Sequence, residues 1–172
     1  MERASADKST NTSADVSVGQ STEKPEQTPP GHEFLGSVEA PIIVDNVEIP
    51  EFIFTIQNIE ITDSIMSNYP VYSVETTSTN TYGTTTTRVY IGYTISDVLD
   101  AAGITDNFIT LQAIADDGYT VKVDYSVAME STTLVAISEN DKIFVTGLWF
   151  SPCSSNVSPD YLRELSVIRL ID

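Results

Sequence analysis

Residues 90–104 read YIGYTISDVLDAAGI and residues 109–124 read ITLQAIADDGYTVKVD, and together these two stretches decide the fold. The first predicts a helix that begins after Thr94, whose hydroxyl can accept a hydrogen bond from the first turn, and that ends at Gly103, a residue typical of left-handed C-caps. The apolar residues of this helix recur at i, i+3, i+4 and i+7 and share one face: Ile95, Val98, Leu99 and Ala102. The second stretch predicts two strands joined by a turn at Asp117-Gly118.

Apolar and alternating runs predict further strands along the chain. These runs are residues 42–44, 52–56, 59–61, 71–77, 84–91, 111–115, 119–124, 133–138, 143–150 and 165–171. Turns are expected at Gln57-Asn58 and Asn140-Asp141, a polar loop at 78–83, and a short helix from Asp63 through Asn68 that Pro70 ends. Many strands with a few short helices indicate an α+β protein with a mixed, mostly-β sheet architecture.

The composition limits the classes of partner and site. The chain has 25 acidic and 8 basic residues and a net charge of −17, which repels phosphate backbones, so we expect no nucleic-acid partner. It contains no apolar run of about 18 residues, so we expect no membrane span. Cys153 is the only cysteine, which excludes an intrachain disulfide and a cysteine-based zinc or iron–sulfur site.

Residues 1–33 differ in composition from the rest of the chain. They are rich in Ser, Thr, Glu and Pro, which predicts a disordered linker, and residues 34–172 are expected to form one folded domain. His32, the only histidine, is expected to be a solvated linker residue. The polar stretch has no signal peptide of its own but is similar to the spacer that follows a cleaved signal or a lipoprotein anchor. We therefore expect a secreted bacterial lipoprotein, extracellular or anchored at the cell surface.

The order of these elements resembles the sulfite-oxidase-type molybdopterin-binding domain. That family has a Gly-x-x-Leu-x-x-Leu-Leu-x-x-Ala-Gly helix, which residues 92–103 match, and an Asp-Gly-Tyr hairpin, which residues 117–119 match. Later matches are residues 134–136, 147–148, Pro152 and 167–170. The resemblance covers about residues 50–172 and implies a sulfite-oxidase-like fold that binds molybdopterin.

One departure from the family pattern concerns the metal. The family binds molybdenum through a cysteine thiolate, and the corresponding window, residues 75–83, reads ETTSTNTYG. Hydroxyl groups are poor substitutes for a thiolate. From Phe34 onward five cations stand against nineteen acids, which disfavours an anionic cofactor. We therefore expect no cofactor and no metal, with molybdopterin as the alternative. Cys153 is expected to be a structural or half-exposed thiol rather than a relocated ligand.

Aromatic residues suggest a different use for the domain. Tyrosines, a tryptophan and an arginine near the expected cleft would form a wall that suits sugars, peptides or apolar ligands. The candidate ligand-binding residues are Tyr82, Arg88, Tyr93, Tyr119 and Trp149. The alternative is ordinary strand packing, because aromatic residues favour sheets. Asp116-Asp117-Gly118 could be read as a calcium loop, but the EF-hand spacing is absent and a solvated turn is favoured.

These observations favour a non-catalytic, surface-tethered binding module with a degenerate sulfite-oxidase-like fold. Its ligand would be a small molecule, a glycan or a protein. No catalytic residue is predicted, because no Gly-x-Ser-x-Gly motif occurs and no histidine lies in the folded part. One alternative is a molybdopterin-dependent oxidoreductase that holds its cofactor without a cysteine. A second alternative is a structural or assembly module that uses an exposed sheet edge.

Overall fold

The computed structural model describes residues 35–105, 107–152 and 161–172. The predicted linker with His32, and Cys153 with its loop, lie outside the described residues. The described part contains twelve strands and three short helices, which confirms the mostly-β, α+β class. The elements are β1 (Leu35–Val38), β2 (Ile42–Val44), β3 (Ile53–Ile56), β4 (Ile59–Thr62), α1 (Asp63–Met66), β5 (Val71–Thr79), β6 (Thr85–Thr94), α2 (Ile95–Ala102), β7 (Thr110–Ala115), β8 (Thr120–Asp124), α3 (Tyr125–Ala128), β9 (Leu134–Glu139), β10 (Lys142–Ile143), β11 (Trp149–Ser151) and β12 (Leu165–Ile171).

The strands form two sheets. In the seven-stranded sheet, called the large sheet, β5, β6 and β9 lie side by side, β1 and β2 pair with β5, and β10 and β11 pair with β9. All of these pairs are antiparallel. The five-stranded sheet, called the small sheet, has the order β4-β3-β12-β7-β8. Its one parallel pair is β3 with β12, so the closing strand joins the two halves of this sheet.

The main hydrophobic core joins both sheets and α2. It contains Phe54 and Ile56 from the small sheet, Val135 and Ile137 from the large sheet, and Leu99 from α2. Because side chains alternate across a strand, the other residues of β9 point to the opposite face of the large sheet. There Leu134 and Ala136 form a second core with Val74 and Tyr90. The large sheet is therefore covered on both faces along β9.

Helix α2 confirms its sequence prediction. The hydroxyl of Thr94 accepts a 3.2 Å hydrogen bond from the N–H of Asp97, and Gly103 adopts the left-handed conformation at φ 70°. The N–H of Ile104 donates to the carbonyl of Leu99 at 3.0 Å, which satisfies a carbonyl in the last turn. Ile95, Val98 and Leu99 are buried in the main core.

Gly92 lies where the pairing of β6 with β9 shifts register, between Ile91 and Gly92. A Cβ atom at this position would lie 2.2 Å from the carbonyl oxygen of Val135. The two backbones approach this closely only because Gly92 has no side chain. The glycine before α2 is therefore required by the pairing of two central strands.

Several predicted boundaries were wrong. Residues 143–150 form two short strands rather than one, because the chain leaves the extended conformation between them, where Gly147 has a φ of 149°. The short helix spans only Asp63–Met66 and is capped by Thr62, whose hydroxyl accepts from Ile65 at 3.3 Å. Strand β5 continues to Thr79, so part of the predicted loop is strand. Helix α3 and strand β1 were not predicted.

Candidate functional site

Four aromatic rings form a continuous row on the outer face of the large sheet. Phe144 and Trp149 stack with ring centroids 4.3 Å apart and planes at 8°. Trp149 and Tyr161 are 6.3 Å apart, and Tyr161 lies 5.1 Å from Tyr90. These distances lie within or near the range of favourable ring pairs. This aromatic row packs onto the second core, which contains Tyr90 itself, and Phe144, Trp149 and Tyr161 are only half-buried.

The local backbone explains why these rings meet. The N–H of Leu162 donates to the carbonyl of Phe150 at 3.0 Å, and the N–H of Phe150 donates back to Leu162 at 2.8 Å. Phe150 and Leu162 are both buried in the main core. Their chain neighbours therefore point the other way, toward the outer face. This pairing places Trp149 beside Tyr161 and Arg163.

Charged groups surround the row. Arg88 Nε lies 3.2 Å from Glu139 Oε2, and the hydroxyl of Tyr90 donates to the same oxygen at 3.1 Å. The guanidinium carbon of Arg163 lies 4.9 Å from the centre of the Trp149 ring, a cation–π distance. Among the described residues, Arg163 has no ion-pair partner. Two of the five cations of the folded part thus lie against the aromatic row.

The surroundings also fix the protonation of two of these groups. Burial, followed by the hydrogen bond with Tyr161, raises the pKa of the Tyr90 phenol far above its ordinary value. Partial burial alone would lower the pKa of the Arg88 guanidinium, but the oxygens of Tyr90, Tyr161 and Glu139 outweigh it and raise that pKa overall. Tyr90 and Arg88 therefore keep their protons at neutral pH and act as hydrogen-bond donors.

A groove of about 400 Å³ opens beside the aromatic row. Its lining residues come from two parts of the chain, the turn between β7 and β8 and the segment before β12: Ala115, Asp117, Tyr119, Tyr161 and Arg163. The carboxylate of Asp117 accepts a 2.9 Å hydrogen bond from the N–H of Tyr119, which fixes the turn. Tyr119 is 53% exposed. Tyr161 belongs to both features, and Arg163 lines the groove and lies against Trp149 of the row, so the groove and the row adjoin each other.

The structure brings together three of the five residues predicted from sequence. Arg88 and Trp149 lie at the aromatic row, and Tyr119 lines the groove. Tyr93 is buried in the main core, 6.1 Å from Phe52, on the other face of the sheet. Tyr82 is 91% exposed in the turn between β5 and β6 and does not line the groove.

Sequence reasoning missed Tyr161, Arg163, Glu139 and Phe144 as site residues. Asp117 is expected from sequence as a turn residue and, as a ligand, only in a disfavoured calcium loop. Tyr161 and Arg163 flank one buried leucine, which is the pattern of a strand with one outward face. That alternation predicts that the side chains of Tyr161 and Arg163 share one face. No local feature indicated that these two residues would meet the hairpin between β7 and β8.

A second groove of about 380 Å³ lies next to β3. Its lining includes the carboxylate residues Glu51 and Asp116 and the exposed side chain of Val145. Phe52 and Phe54 also border it, but both are buried in the main core. This groove therefore lacks both the exposed rings and the cations of the first one.

Residues 75–83, where the resemblance predicts a cysteine loop, lie in the outer part of the hairpin between β5 and β6. Here the hydroxyls of Thr79 and Thr85 lie 2.9 Å apart, and those of Thr77 and Thr87 lie 3.3 Å apart. Asn80 accepts hydrogen bonds from two backbone N–H groups of the turn. Residues 75–83 offer oxygen groups and no sulfur, so this donor set does not fit a thiolate-held molybdenum. Across the described ranges, no three His, Cys, Asp or Glu side chains converge on a possible metal position.

Comparison with protein-family models gives no match, and no curated protein matches the chain in sequence. Within residues 35–105, 107–152 and 161–172, no helix has the length and apolar character needed to cross a membrane.

Proposed function

We propose that this chain is a non-catalytic binding module that holds its ligand in the groove beside the aromatic row. One observation carries the proposal: exposed rings, a guanidinium and a carboxylate converge on one concave surface. A concave site with aromatic walls and a few convergent polar groups is the usual form of a ligand pocket. A guanidinium at such a site is uncommon in this domain, because residues 34–172 contain only five cations against nineteen acids.

The protonation of Tyr90 and Arg88, beside the groove, suits hydrogen-bond donation rather than acid–base catalysis. A general acid or base works best when its pKa lies near the operating pH. The pKa values of Tyr90 and Arg88 are both raised, away from neutrality. Both groups therefore stay protonated near neutral pH and can donate hydrogen bonds. Glu139 holds both of them in place through a single carboxylate oxygen.

We further propose that the module is a degenerate relative of the sulfite-oxidase-type molybdopterin-binding domain. Support comes from the order of a glycine, the helix α2, the β7–β8 hairpin and the closing strand, and from the sulfur-free hairpin at residues 75–83. The polar composition of residues 1–33 supports a tether that displays the domain outside a bacterial cell, at the surface or after secretion.

The test combines a cofactor assay with a ligand screen. Freshly purified full-length protein is analysed for molybdenum and for pterin fluorescence, and then screened by thermal shift against glycans, peptides and small metabolites. We expect no stoichiometric molybdenum and at least one stabilising ligand. The stabilisation should fall in Tyr119→Ala and Arg163→Ala and persist in Arg169→Ala, which removes an exposed arginine of β12 that does not line the groove. Stoichiometric molybdenum with redox activity would overturn the proposal.

A further inference from the structure

We propose that the groove binds a neutral carbohydrate, with a sugar ring lying against Tyr119 and Tyr161 and its hydroxyls held by Asp117 and Arg163. This inference rests on the proposed function and names the ligand class for the same site. It depends on three features of the groove: exposed aromatic faces, a separated donor and acceptor, and backbone groups that are already paired.

The first feature is the aromatic surface. A sugar ring has an apolar C–H face, and aromatic side chains in a partly wet groove offer a large, rigid apolar surface with little entropy to lose. Tyr119 is 53% exposed, and Trp149 and Tyr161 are half-buried on the outer face. The groove volume of about 400 Å³ falls within the usual range for small-ligand sites, about 300–1,000 Å³.

The second feature is the pair of charged side chains. Asp117 and Arg163 both line the groove, and Arg163 forms no ion pair with any described residue. The carboxylate only accepts hydrogen bonds and the guanidinium only donates them. A sugar hydroxyl does both, so one ring with neighbouring hydroxyls can satisfy the two groups at once. A ligand without such groups would leave one of the charges desolvated and unpaired, which is costly.

The charges of Asp117 and Arg163 also disfavour both anionic and cationic ligands. An anion would meet the carboxylate of Asp117 and the field of a domain with nineteen acids against five cations. A cation would meet Arg163, which already occupies the cation–π position 4.9 Å from the Trp149 ring. A neutral ligand with both donors and acceptors avoids both conflicts.

The third feature argues against an extended peptide. Peptides commonly bind by adding a strand to a free sheet edge. The backbone N–H and carbonyl of Leu162, between the two lining residues Tyr161 and Arg163, both pair with Phe150. On the other wall, the N–H of Tyr119 donates to Asp117. These backbone groups are therefore already paired, and a peptide could not use them to add a strand.

The test uses Trp149, the only tryptophan in the chain, as a probe beside the groove, where its ring contacts the lining residue Arg163. The full-length protein is titrated, up to millimolar concentration, with neutral gluco-, xylo-, manno- and chito-oligosaccharides, with oligogalacturonate as the acidic comparison, and with unstructured peptides. We expect a saturable change in Trp149 emission with at least one neutral oligosaccharide and none with oligogalacturonate. Tyr119→Ala, Arg163→Ala and Asp117→Asn should each weaken binding at least about tenfold, whereas Arg169→Ala should not.

The Asp117→Asn variant keeps the proposal testable if the others unfold. Its amide oxygen can still accept from the N–H of Tyr119, so the turn is retained, and circular dichroism should match the wild type. If none of the neutral oligosaccharides changes the emission or the unfolding temperature, or if the acidic sugar binds more tightly, the carbohydrate inference is overturned. Peptide binding that depends on Tyr119 and Arg163 would overturn the inference while leaving the binding module standing. Stoichiometric molybdenum would overturn both.

Discussion

Arg88 Nε lies 3.2 Å from Glu139 Oε2, and this ion pair joins β6 to β9 beside the aromatic row. The hydroxyl of Tyr90 donates to the same oxygen at 3.1 Å. The pair is partly open to solvent, because the side chains of Arg88 and Glu139 are 43% and 23% exposed. Solvent screening therefore limits its strength. The same carboxylate oxygen contacts both Arg88 and the hydroxyl of Tyr90, whose ring lies 5.1 Å from that of Tyr161.

A double-mutant cycle measures this ion pair. Arg88→Ala, Glu139→Gln and the double variant should give a coupling free energy of about 0.2–1 kcal/mol, as for other solvent-accessible pairs. Glutamine retains an oxygen that can accept from Tyr90, so the cycle isolates the charge. Urea unfolding provides the free energies, and the coupling should shrink in high salt. A coupling of zero at low salt would show that the contact contributes nothing to stability.

Alkaline pH should destabilise the fold through Tyr90. Burial first, and then the hydrogen bond with Tyr161, raise the pKa of its phenol above the unfolded value of about 10. A folded pKa above the unfolded one gives stability that is fully present below about pH 10 and lost as the pH rises further. The free energy of unfolding of the wild type should therefore fall above pH 10. It should fall less steeply in Tyr90→Phe.

The measurement is urea unfolding at several pH values, combined with phenolate absorbance. Tyr93 should also ionise only on unfolding, since burial and the charge of Asp63 raise its pKa. Tyr82→Phe controls for the loss of a tyrosine, because that side chain is 91% exposed. If Tyr90→Phe and the wild type lose stability in parallel above pH 10, the phenol of Tyr90 does not control the alkaline limit.

The parts of the fold that could be predicted depend on local chemistry. Helix α2 was predicted because its cap at Thr94, its apolar spacing and its stop at Gly103 all lie within about three turns. The turn at Asn140-Asp141 was predicted for a similar reason, and both residues adopt positive φ values. The break between β10 and β11 was missed because tertiary contacts favour it: the N–H of Leu165 donates to the carbonyl of Leu148 at 2.7 Å.

The site was harder to predict because it depends on sheet pairing. Tyr90 and Tyr93 are three residues apart on β6, so alternation puts them on opposite faces, and only the register with β9 shows which face is outward. Tyr161 reaches the groove because Leu162 pairs with Phe150 and because the N–H of Asp116 donates to the carbonyl of Glu164 at 3.0 Å, two contacts that join distant parts of the sequence. Residue type alone therefore identified Trp149 and Tyr119 but also included Tyr82.

Gly92→Ala should destabilise the protein more than a glycine-to-alanine change at an exposed turn, because Gly92 is buried in β6. The new Cβ would lie 2.2 Å from the carbonyl oxygen of Val135 and 2.6 Å from the Cα of Ala136, both backbone atoms of a central strand. Overpacking of this kind costs about 1–3 kcal/mol or more, and because the backbone cannot move cheaply we expect at least about 3 kcal/mol. Urea unfolding gives the value.

Gly83→Ala provides the matched comparison for Gly92. Gly83 has a φ of 83°, but no atom lies within 4 Å of the position of its Cβ. Its cost should be limited to the left-handed backbone, about 1–2 kcal/mol. Equal losses in the two variants would show that β6 and β9 can move apart at little cost, so that their close approach does not require a glycine at position 92.

Because of Asp97, the stability of the wild type relative to Asp97→Asn should be greater in mild acid than at neutral pH. Its Oδ2 atom is buried without a hydrogen-bond partner among the described residues. Burial raises the pKa of this carboxyl, a hydrogen bond with Thr94 opposes the shift, and the charge of Asp100 adds to it.

A folded pKa above the unfolded value of about 3.9 gives stability that is complete below that value and lost as the pH rises through the folded pKa. The unfolding free energy of the wild type minus that of Asp97→Asn should therefore decrease between about pH 4 and pH 7, as measured by urea unfolding at each pH. A difference that stays constant or grows over this range would mean that the buried oxygen is solvated in solution.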